Sequence, residues 1–301
     1  MIDTPVIIEA ALNGGTPRRI SPRVPKTVAE IASDGIACLN AGASIVHHHN
    51  DEPVLGGDGN HAPGPYAAVW QLIRAQHPNA IFYPTMGGGG HGIRIEDRYA
   101  HIEALAETGL LDLGLVDPGT TNIGRYASDG TPRAEALVYQ NTYADAVYMI
   151  ETCRRLGLGM SISIFEPGFV RVITGYLSAG SLPSAAFVKF YFGGVRAGFG
   201  LPPTKAALDA YLEMLSEWQL PWLVSIQGGD LVGNRDFARC VIERGGHLQV
   251  GLEPNPDRGR SNLELVNAAV ELCREMNRRP ATCLEARELL QLRGAVNRRA
   301  E

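Results

Sequence analysis

Short apolar runs alternate with segments of helical periodicity along the whole chain. The apolar runs predict eight β-strands, at residues 6–12, 43–49, 80–84, 111–116, 160–165, 186–192, 222–226 and 247–252. The segments between them predict eight helices, at residues 27–40, 65–76, 94–108, 142–156, 169–178, 204–218, 231–244 and 261–278. Capping boxes support two of the helix starts, with Thr27 and Glu30 at one and Ser261 and Glu264 at the other.

This order of elements predicts the fold class. Strands that alternate with helices indicate a parallel sheet, and eight βα units in about 280 residues match a (β/α)8 TIM barrel. A doubly wound open sheet is the alternative, although it usually contains fewer units. No linker or repeat interrupts the pattern, so residues 1–301 are predicted to form a single α/β domain. A tail helix at about 284–292 is expected to pack on the barrel or on a neighbouring subunit.

Composition narrows the class of protein. The 301 residues are 45% hydrophobic and 20% charged, which suits a large buried core and excludes a disordered or fibrous chain. The net charge of −5 argues against binding to nucleic acid or to a membrane surface. The apolar runs are far shorter than the ~20 residues of a membrane span, and the start of the chain shows no signal-peptide pattern. Five scattered cysteines without a CxxC pair indicate reduced thiols, so a cytoplasmic enzyme is predicted.

Polar residues gather where the predicted strands end, which is where barrels place their active sites. His47, His48 and His49 end the second strand. Residues i and i+2 of a strand face the same side, so His47 and His49 can converge inward while His48 faces the helices. Two imidazoles and a carboxylate form a common catalytic metal site, and Glu253 after the eighth strand is the candidate third ligand. The spacing leaves zinc, manganese, iron and nickel open, and a polar strand end without a metal is the alternative.

Other strand ends and loops offer candidate substrate contacts. The candidates for substrate binding are Asn13, Gly87, Gly88, Asn122 and Glu166. Backbone N–H groups of the glycine run at 87–90 could approach an anion, or these glycines could form an ordinary turn. The chain contains no dinucleotide-binding glycine motif, no phosphate-binding loop motif and no G-x-S-x-G nucleophile elbow.

Several stretches resemble one known family, the β-keto acid cleavage enzymes, to which 3-keto-5-aminohexanoate cleavage enzyme belongs. The stretches are IEAALNGG at 8–15, AGASIVHHH at 41–49, GGHLQVGLEPN at 245–255 and the segments 261–266 and 280–290. The resemblance covers nearly the whole chain. It implies a (β/α)8 barrel with a divalent metal, usually zinc, held by His47, His49 and Glu253. It also implies a homotetramer and a retro-Claisen reaction of a β-keto acid with acetyl-CoA, which gives acetoacetate and a new CoA thioester.

The same resemblance suggests catalytic residues and several departures from the family, two of which change charged groups near Glu253. Thr85 and Thr120 correspond to residues that would contact the substrate or the tetrahedral intermediate. Gln249, also a candidate catalytic residue, stands where the family has arginine, and Pro254 stands where it has aspartate. Glu9 is then a candidate base, together with Asp117 and Glu166, and the candidates for the missing cation are Arg125, Arg171 and Arg196.

These departures leave a second function open. The first function is the retro-Claisen enzyme, with a β-keto acid and a CoA thioester as its small-molecule partners. The alternative is a metal-dependent aldolase or hydrolase that does not use CoA, or a catalytically weak protein that binds an oxo acid through the metal.

Overall fold

Eight parallel strands form a nearly closed barrel in the computed structural model, which describes residues 4–195 and 197–292. Along the barrel the strands are hydrogen-bonded in the order β3-β2-β1-β10-β9-β8-β7-β4, and β5 and β6 form a separate antiparallel pair. The strand bounds are β1 (Ile8–Ala11), β2 (Ile45–His48), β3 (Ile81–Pro84), β4 (Leu113–Val116), β5 (Thr121–Asn122), β6 (Val138–Tyr139), β7 (Gly159–Ile164), β8 (Ala186–Gly193), β9 (Trp222–Gln227) and β10 (His247–Val250).

A helix follows each strand of the barrel, so the prediction of a (β/α)8 TIM barrel is confirmed. The helix bounds are α1 (Val28–Ala41), α2 (Pro63–Arg74), α3 (Ile95–Glu107), α4 (Tyr143–Leu156), α5 (Pro167–Ser178), α6 (Lys205–Met214), α7 (Arg235–Glu243), α8 (Asn262–Glu275) and α9 (Cys283–Leu289). Among the described residues, no helix has the length and apolar character that crossing a membrane requires.

Most predicted helix bounds differ from the structure by one to three residues, and two differ by four. The helix expected at 231–244 begins at Arg235, because Asp230 first closes a turn by accepting the N–H of Gly233 at 2.9 Å. The helix expected at 204–218 ends at Met214, because the N–H of Leu215 turns back to an oxygen only three residues away. Helix ends of this kind depend on local hydrogen bonds that apolar periodicity does not reveal.

Both predicted capping boxes are confirmed. The N–H of Glu30 donates to Thr27 Oγ1 at 3.3 Å, and the Glu30 carboxylate accepts the Thr27 N–H at 2.9 Å. Ser261 and Glu264 exchange the same two bonds at 2.8 and 3.3 Å. Each cap satisfies orphan donors of a helix start and stabilises it by about 1 kcal/mol. The two capped helices are α1, which follows the loop after β1, and α8, which follows the loop after β10.

The barrel closes between β3 and β4 through Asp112. Its N–H donates to the Phe82 carbonyl oxygen at 3.2 Å, and its carboxylate accepts the Phe82 N–H at 3.0 Å. The same carboxylate is 2.9 Å from Arg74 and 2.7 Å from Arg287, which belongs to α9. The tail helix is therefore bound to the barrel by a buried ion pair at its seam.

Strand register determines which side chains enter the barrel. Glu9 pairs with Gln249, Ala11 pairs with His47, and His47 pairs with Tyr83. Partners in a parallel ladder face the same side, and residues two apart on one strand do so as well. The interior therefore has a polar layer around Glu9, with the layer of His47 above it, towards the carboxyl ends of the strands.

Candidate metal centre

His47, His49 and Glu253 meet at the mouth of the barrel. One potential ligand atom from each residue lies within 4.8 Å of the others. His47 Nε2 is 3.3 Å from Glu253 Oε2, and His49 Nε2 is 3.4 Å from Glu253 Oε1. Two donors that each lie about 2.1 Å from a tetrahedral zinc ion are about 3.4 Å apart, whereas N–H···O hydrogen bonds centre near 2.9 Å. The spacing therefore fits three ligands of one ion.

The His47 ring is oriented by Tyr83. His47 Nδ1 lies 3.1 Å from the Tyr83 carbonyl oxygen, and the two rings stack with centroids 4.3 Å apart at 20°. A proton on Nδ1 that donates to this carbonyl leaves the Nε2 lone pair directed at Glu253. This arrangement matches the outer hydrogen bond that metal-binding histidines ordinarily make.

The backbone of His49 is held by Asn13. The His49 N–H donates to Asn13 Oδ1 at 2.8 Å, and Asn13 Nδ2 donates to the carbonyl oxygens of His49 at 3.0 Å and Pro25 at 3.1 Å. Burial lowers the pKa of His49, so its ring is neutral near pH 7, which is the form that binds metals. Asn13, predicted as a substrate contact, is placed behind a candidate metal ligand with both amide atoms in use.

Glu253 reaches the two histidines from a tight turn after β10. The N–H of Glu253 donates to the Ala11 oxygen at 3.2 Å, and the preceding N–H of Leu252 donates to Asn262 Oδ1 at 2.7 Å. Gly14, at φ +52°, leaves room for the carboxylate, because a Cβ there would lie 2.6 Å from Glu253 Cγ. Burial raises the pKa of Glu253, but the facing histidines lower it more, so it lies well below its ordinary value.

His48 points to the helix layer, as the strand alternation predicts. It is fully buried, with its ring 4.9 Å from Tyr66 and 6.1 Å from Trp70 between centroids. Burial lowers the pKa of His48 to about 3, so the ring is neutral. The alternation of β2 thus separates one packing histidine from the two that face the mouth.

A polar cluster fills the barrel one layer below these ligands. Glu9 Oε1 accepts hydrogen bonds from the Tyr83 hydroxyl at 2.5 Å, Lys189 Nζ at 2.8 Å and Gln249 Nε2 at 2.6 Å. Glu9 and Gln249, two candidate catalytic residues, therefore contact each other in the closed interior. Sequence reasoning missed Lys189 and Tyr83. The available signal was Lys189 itself, a lone charge within the apolar run of β8.

The loop after β3 uses its glycines for close packing. A Cβ at Gly87 would lie 2.7 Å from the Cα of Gly59, and one at Gly88 would lie 2.9 Å from a Leu55 methyl. Gly87 and Gly88, both predicted as substrate contacts, therefore pack closely against the segment before α2. Thr85 is also buried, and its carbonyl oxygen lies 2.7 Å from the ring of His101.

The remaining predicted contacts lie in the long loop after β4 and at the start of α5. Thr120 donates its hydroxyl to the Asn141 carbonyl oxygen at 2.8 Å, and Asn122 is exposed on β5. Glu166 accepts the Thr121 hydroxyl at 2.9 Å and the Gly200 N–H at 3.2 Å. The polar contacts of Thr120 and Glu166 thus join segments of the loops around them.

The structure also locates the other residues considered from sequence. Asp117 is buried and accepts the Tyr139 hydroxyl at 2.5 Å, and burial raises the pKa of its carboxyl. Arg125 is paired with Glu135 at 2.7 Å on the exposed loop. Arg171 is exposed on α5, and Arg196 lies outside the described residues. Among the residues described, Lys189 is the cation that contacts the interior polar cluster.

Comparison with known proteins identifies the family. The family model described as beta-keto acid cleavage enzyme matches residues 5–292. This chain belongs to that family. The resemblance seen in the strand motifs is therefore confirmed, and the match takes in β1, His47 and His49 at the end of β2, and the turn after β10 that carries Glu253.

Curated relatives of this family member match it from end to end. It is 29% identical over 301 residues to a 3-keto-5-aminohexanoate cleavage enzyme of Fusobacterium nucleatum subsp. nucleatum, covering 96% of this chain and 98% of the relative. It is 27% identical over 298 residues to a 3-oxoadipate:acetyl-CoA acetyltransferase of Cupriavidus necator, with coverage of 96% and 95%. The solved complex of ObcA with oxaloacetate has a TM-score of 0.68 at 15% identity, covering 90% of this chain and 68% of ObcA, and supports the fold.

Proposed function

We propose that this family member is a divalent-metal-dependent β-keto acid cleavage enzyme, with zinc as the expected ion and acetyl-CoA as co-substrate. The observation that carries the proposal is the spacing of His47, His49 and Glu253, which suits three ligands of one ion. Family membership supports the class of reaction. The name of one relative, the 3-oxoadipate:acetyl-CoA acetyltransferase of Cupriavidus necator, supports the co-substrate.

The proposed reaction exchanges two acyl groups between the CH₂ carbon of the β-keto acid and the sulfur of CoA. The bond between the keto carbon and the CH₂ of the β-keto acid breaks, and this CH₂–carboxylate unit takes the acetyl group of acetyl-CoA. The products are acetoacetate and a thioester between the remaining acyl group and the CoA sulfur. A divalent ion bound at the three ligands would supply Lewis-acid polarisation of the keto oxygen and orient the carboxylate.

The protein's own residues would hold this chemistry in place. Tyr83 and Asn13 orient the two histidines, so they support the site without touching substrate. Thr85 directly follows β3, next to the strand of His47, and is the proposed hydrogen-bond donor to substrate. Thr120 both donates to and accepts from the Asn141 backbone, so its proposed role is to shape the loop.

Metal analysis and a substrate screen on the same purified protein test the proposal. We expect about one divalent ion per chain and formation of an acyl-CoA from at least one β-keto acid with acetyl-CoA. His47→Ala should lose the ion and the activity, while His91→Ala, at an exposed loop position, should keep both. A wild-type protein without a bound ion, or an active and metal-loaded His47→Ala variant, would contradict the site assignment.

A second candidate function has its own supporting observation. Glu9 is buried with Oε1 engaged by three donors, and neither Gln249 nor Pro254 can act as an acid or base near neutral pH. This favours a metal-dependent aldolase or hydrolase that does not use CoA, or a weak oxo-acid binder. Bound metal together with failure to form any acyl-CoA in the screen would select it.

Three broader expectations stay proposals. We propose that residues 1–301 form one domain, that the chain assembles as a homotetramer and that it is cytoplasmic. Light scattering of the full chain should give four times its mass of 32.4 kDa. Limited proteolysis should leave the barrel and α9 in one fragment, since an ion pair joins Arg287 to Asp112.

A further inference from the structure

The polar cluster below the metal ligands contains a buried ion pair. Lys189 Nζ lies 2.8 Å from Glu9 Oε1, and neither side chain has exposed surface. Moving two charges out of water carries a desolvation cost that their attraction repays only with excellent geometry. A similar apolar pair would often be as stable, so stability alone does not account for these two residues.

Both members of the ion pair contact the hydroxyl of Tyr83. The Tyr83 hydroxyl donates to Glu9 Oε1 at 2.5 Å and contacts Lys189 Nζ. Lys189 Nζ is 4.7 Å from the centroid of the Tyr83 ring, on the side of its hydroxyl. The tyrosine is fully enclosed, with 1% of its surface exposed. Packing around the ring and polar contacts at its hydroxyl therefore both hold the tyrosine in place.

The other end of Tyr83 supports a metal ligand. Its ring stacks on His47 at 4.3 Å, and its carbonyl oxygen lies 3.1 Å from His47 Nδ1. A shift of the tyrosine ring would therefore shift the imidazole whose Nε2 faces Glu253. Outer contacts of this kind orient metal-binding histidines, and their loss typically lowers metal affinity.

We propose that Lys189, paired with Glu9, is a positioning residue that fixes Tyr83 and through it the metal ligand His47. This inference rests on the proposed metal site. Lys189 lies on the inner face of β8, two residues before Tyr191 and so deeper in the barrel. Its side chain has no exposed surface, so it does not reach the mouth of the barrel. An ammonium held by a carboxylate is also a poor nucleophile, which favours support of the site over covalent reaction with a keto group.

A double-mutant cycle tests whether Lys189 acts through Tyr83. Lys189→Met and Tyr83→Phe should each weaken zinc affinity, measured by competition with a chelator, by about 10–100-fold. If one residue acts through the other, the combined variant should lose little more than either single variant. Fully additive losses would overturn the proposed path. Lys205→Met, at an exposed position of α6, is the matched control and should bind zinc as wild type does.

Further variants separate positioning from a merely structural role. Glu9→Gln with Lys189→Met removes both charges, so it should fold even if Lys189→Met alone does not. We expect this neutral pair to bind zinc more weakly and to change the visible spectrum of bound cobalt(II), which reports ligand geometry. Lys189→Arg should restore part of the affinity. A folded neutral pair with wild-type affinity and spectrum would overturn the inference and leave the metal site standing.

Two outcomes with the wild-type protein also decide the inference. A wild-type protein that binds no divalent ion would overturn both the proposed function and the role of Lys189. Borohydride trapping of acetoacetate on Lys189, found by peptide mass, would show covalent reaction and overturn the positioning role alone. We expect no such adduct.

Discussion

Replacing Asn13 with alanine should weaken both the fold and the metal centre, because one buried carboxamide joins three backbone groups. The carboxamide accepts the His49 N–H at 2.8 Å and donates to the carbonyl oxygens of His49 at 3.0 Å and Pro25 at 3.1 Å. Each such bond contributes about 0.5–1.5 kcal/mol net, so losing three should lower the free energy of unfolding by about 2–4 kcal/mol. Because His49 loses its backbone support, zinc affinity should fall about 10–100-fold.

Urea unfolding of the metal-free protein measures the first effect, and competition with a chelator measures the second. Asn13→Asp is the informative comparison, because a carboxylate can accept the His49 N–H but would turn a buried negative oxygen towards both carbonyl oxygens, so it should be at least as destabilising as alanine. Asn60→Ala, at an exposed loop position, should change neither quantity. A loss below about 1 kcal/mol with unchanged zinc affinity would refute the reasoning.

Three other predictions follow from single features of the structure. Free zinc at about 100 times its Kd should raise the free energy of unfolding by about 2.7 kcal/mol in urea titrations, and His47→Ala should abolish the gain. Gly14→Ala should lower zinc affinity, because its φ is +52° and its Cβ would lie 2.6 Å from the third ligand's side chain. Gly15→Ala should leave zinc affinity unchanged, because a Cβ at Gly15 would meet no atom within 4 Å. Equal losses of zinc affinity in the two variants would contradict this account. Asp112→Ala removes the 2.7 Å ion-pair partner of Arg287 and should cost about 3–5 kcal/mol in urea unfolding, where a loss under about 1 kcal/mol would argue against it.

Local sequence patterns predicted the elements because strands and helices form from neighbours. The box of Thr27 and Glu30 marked the start of α1 correctly, since both of its bonds lie within four residues. The helix expected from 231 began at Arg235 instead, because a turn closed by Asp230 came first. A side chain that accepts a backbone N–H in this way offers the chain an alternative to the first helical turn, and apolar periodicity does not reveal which of the two forms.

The juxtaposition of His47 and His49 could also be predicted, because alternation along one strand places both side chains on one face. Their meeting with Glu253 was proposed with the help of resemblance to a family. The distances between the three residues came only from the structure. The candidate substrate contacts stay predictions, and the structure adds that the side chain of Asn13 binds backbone groups.

The barrel, its order of βα units and the histidines at the end of β2 could be predicted before folding was considered, because each follows from residues close in the chain. The polar support beneath the histidines could not, because it joins residues that are distant in the chain. Lys189 and Glu9 are 180 residues apart, and their contact depends on the closure and register of eight strands. The sequence shows a lone lysine in an apolar strand, but only the folded barrel shows which carboxylate pairs with it and which candidate metal ligand lies next to that pair.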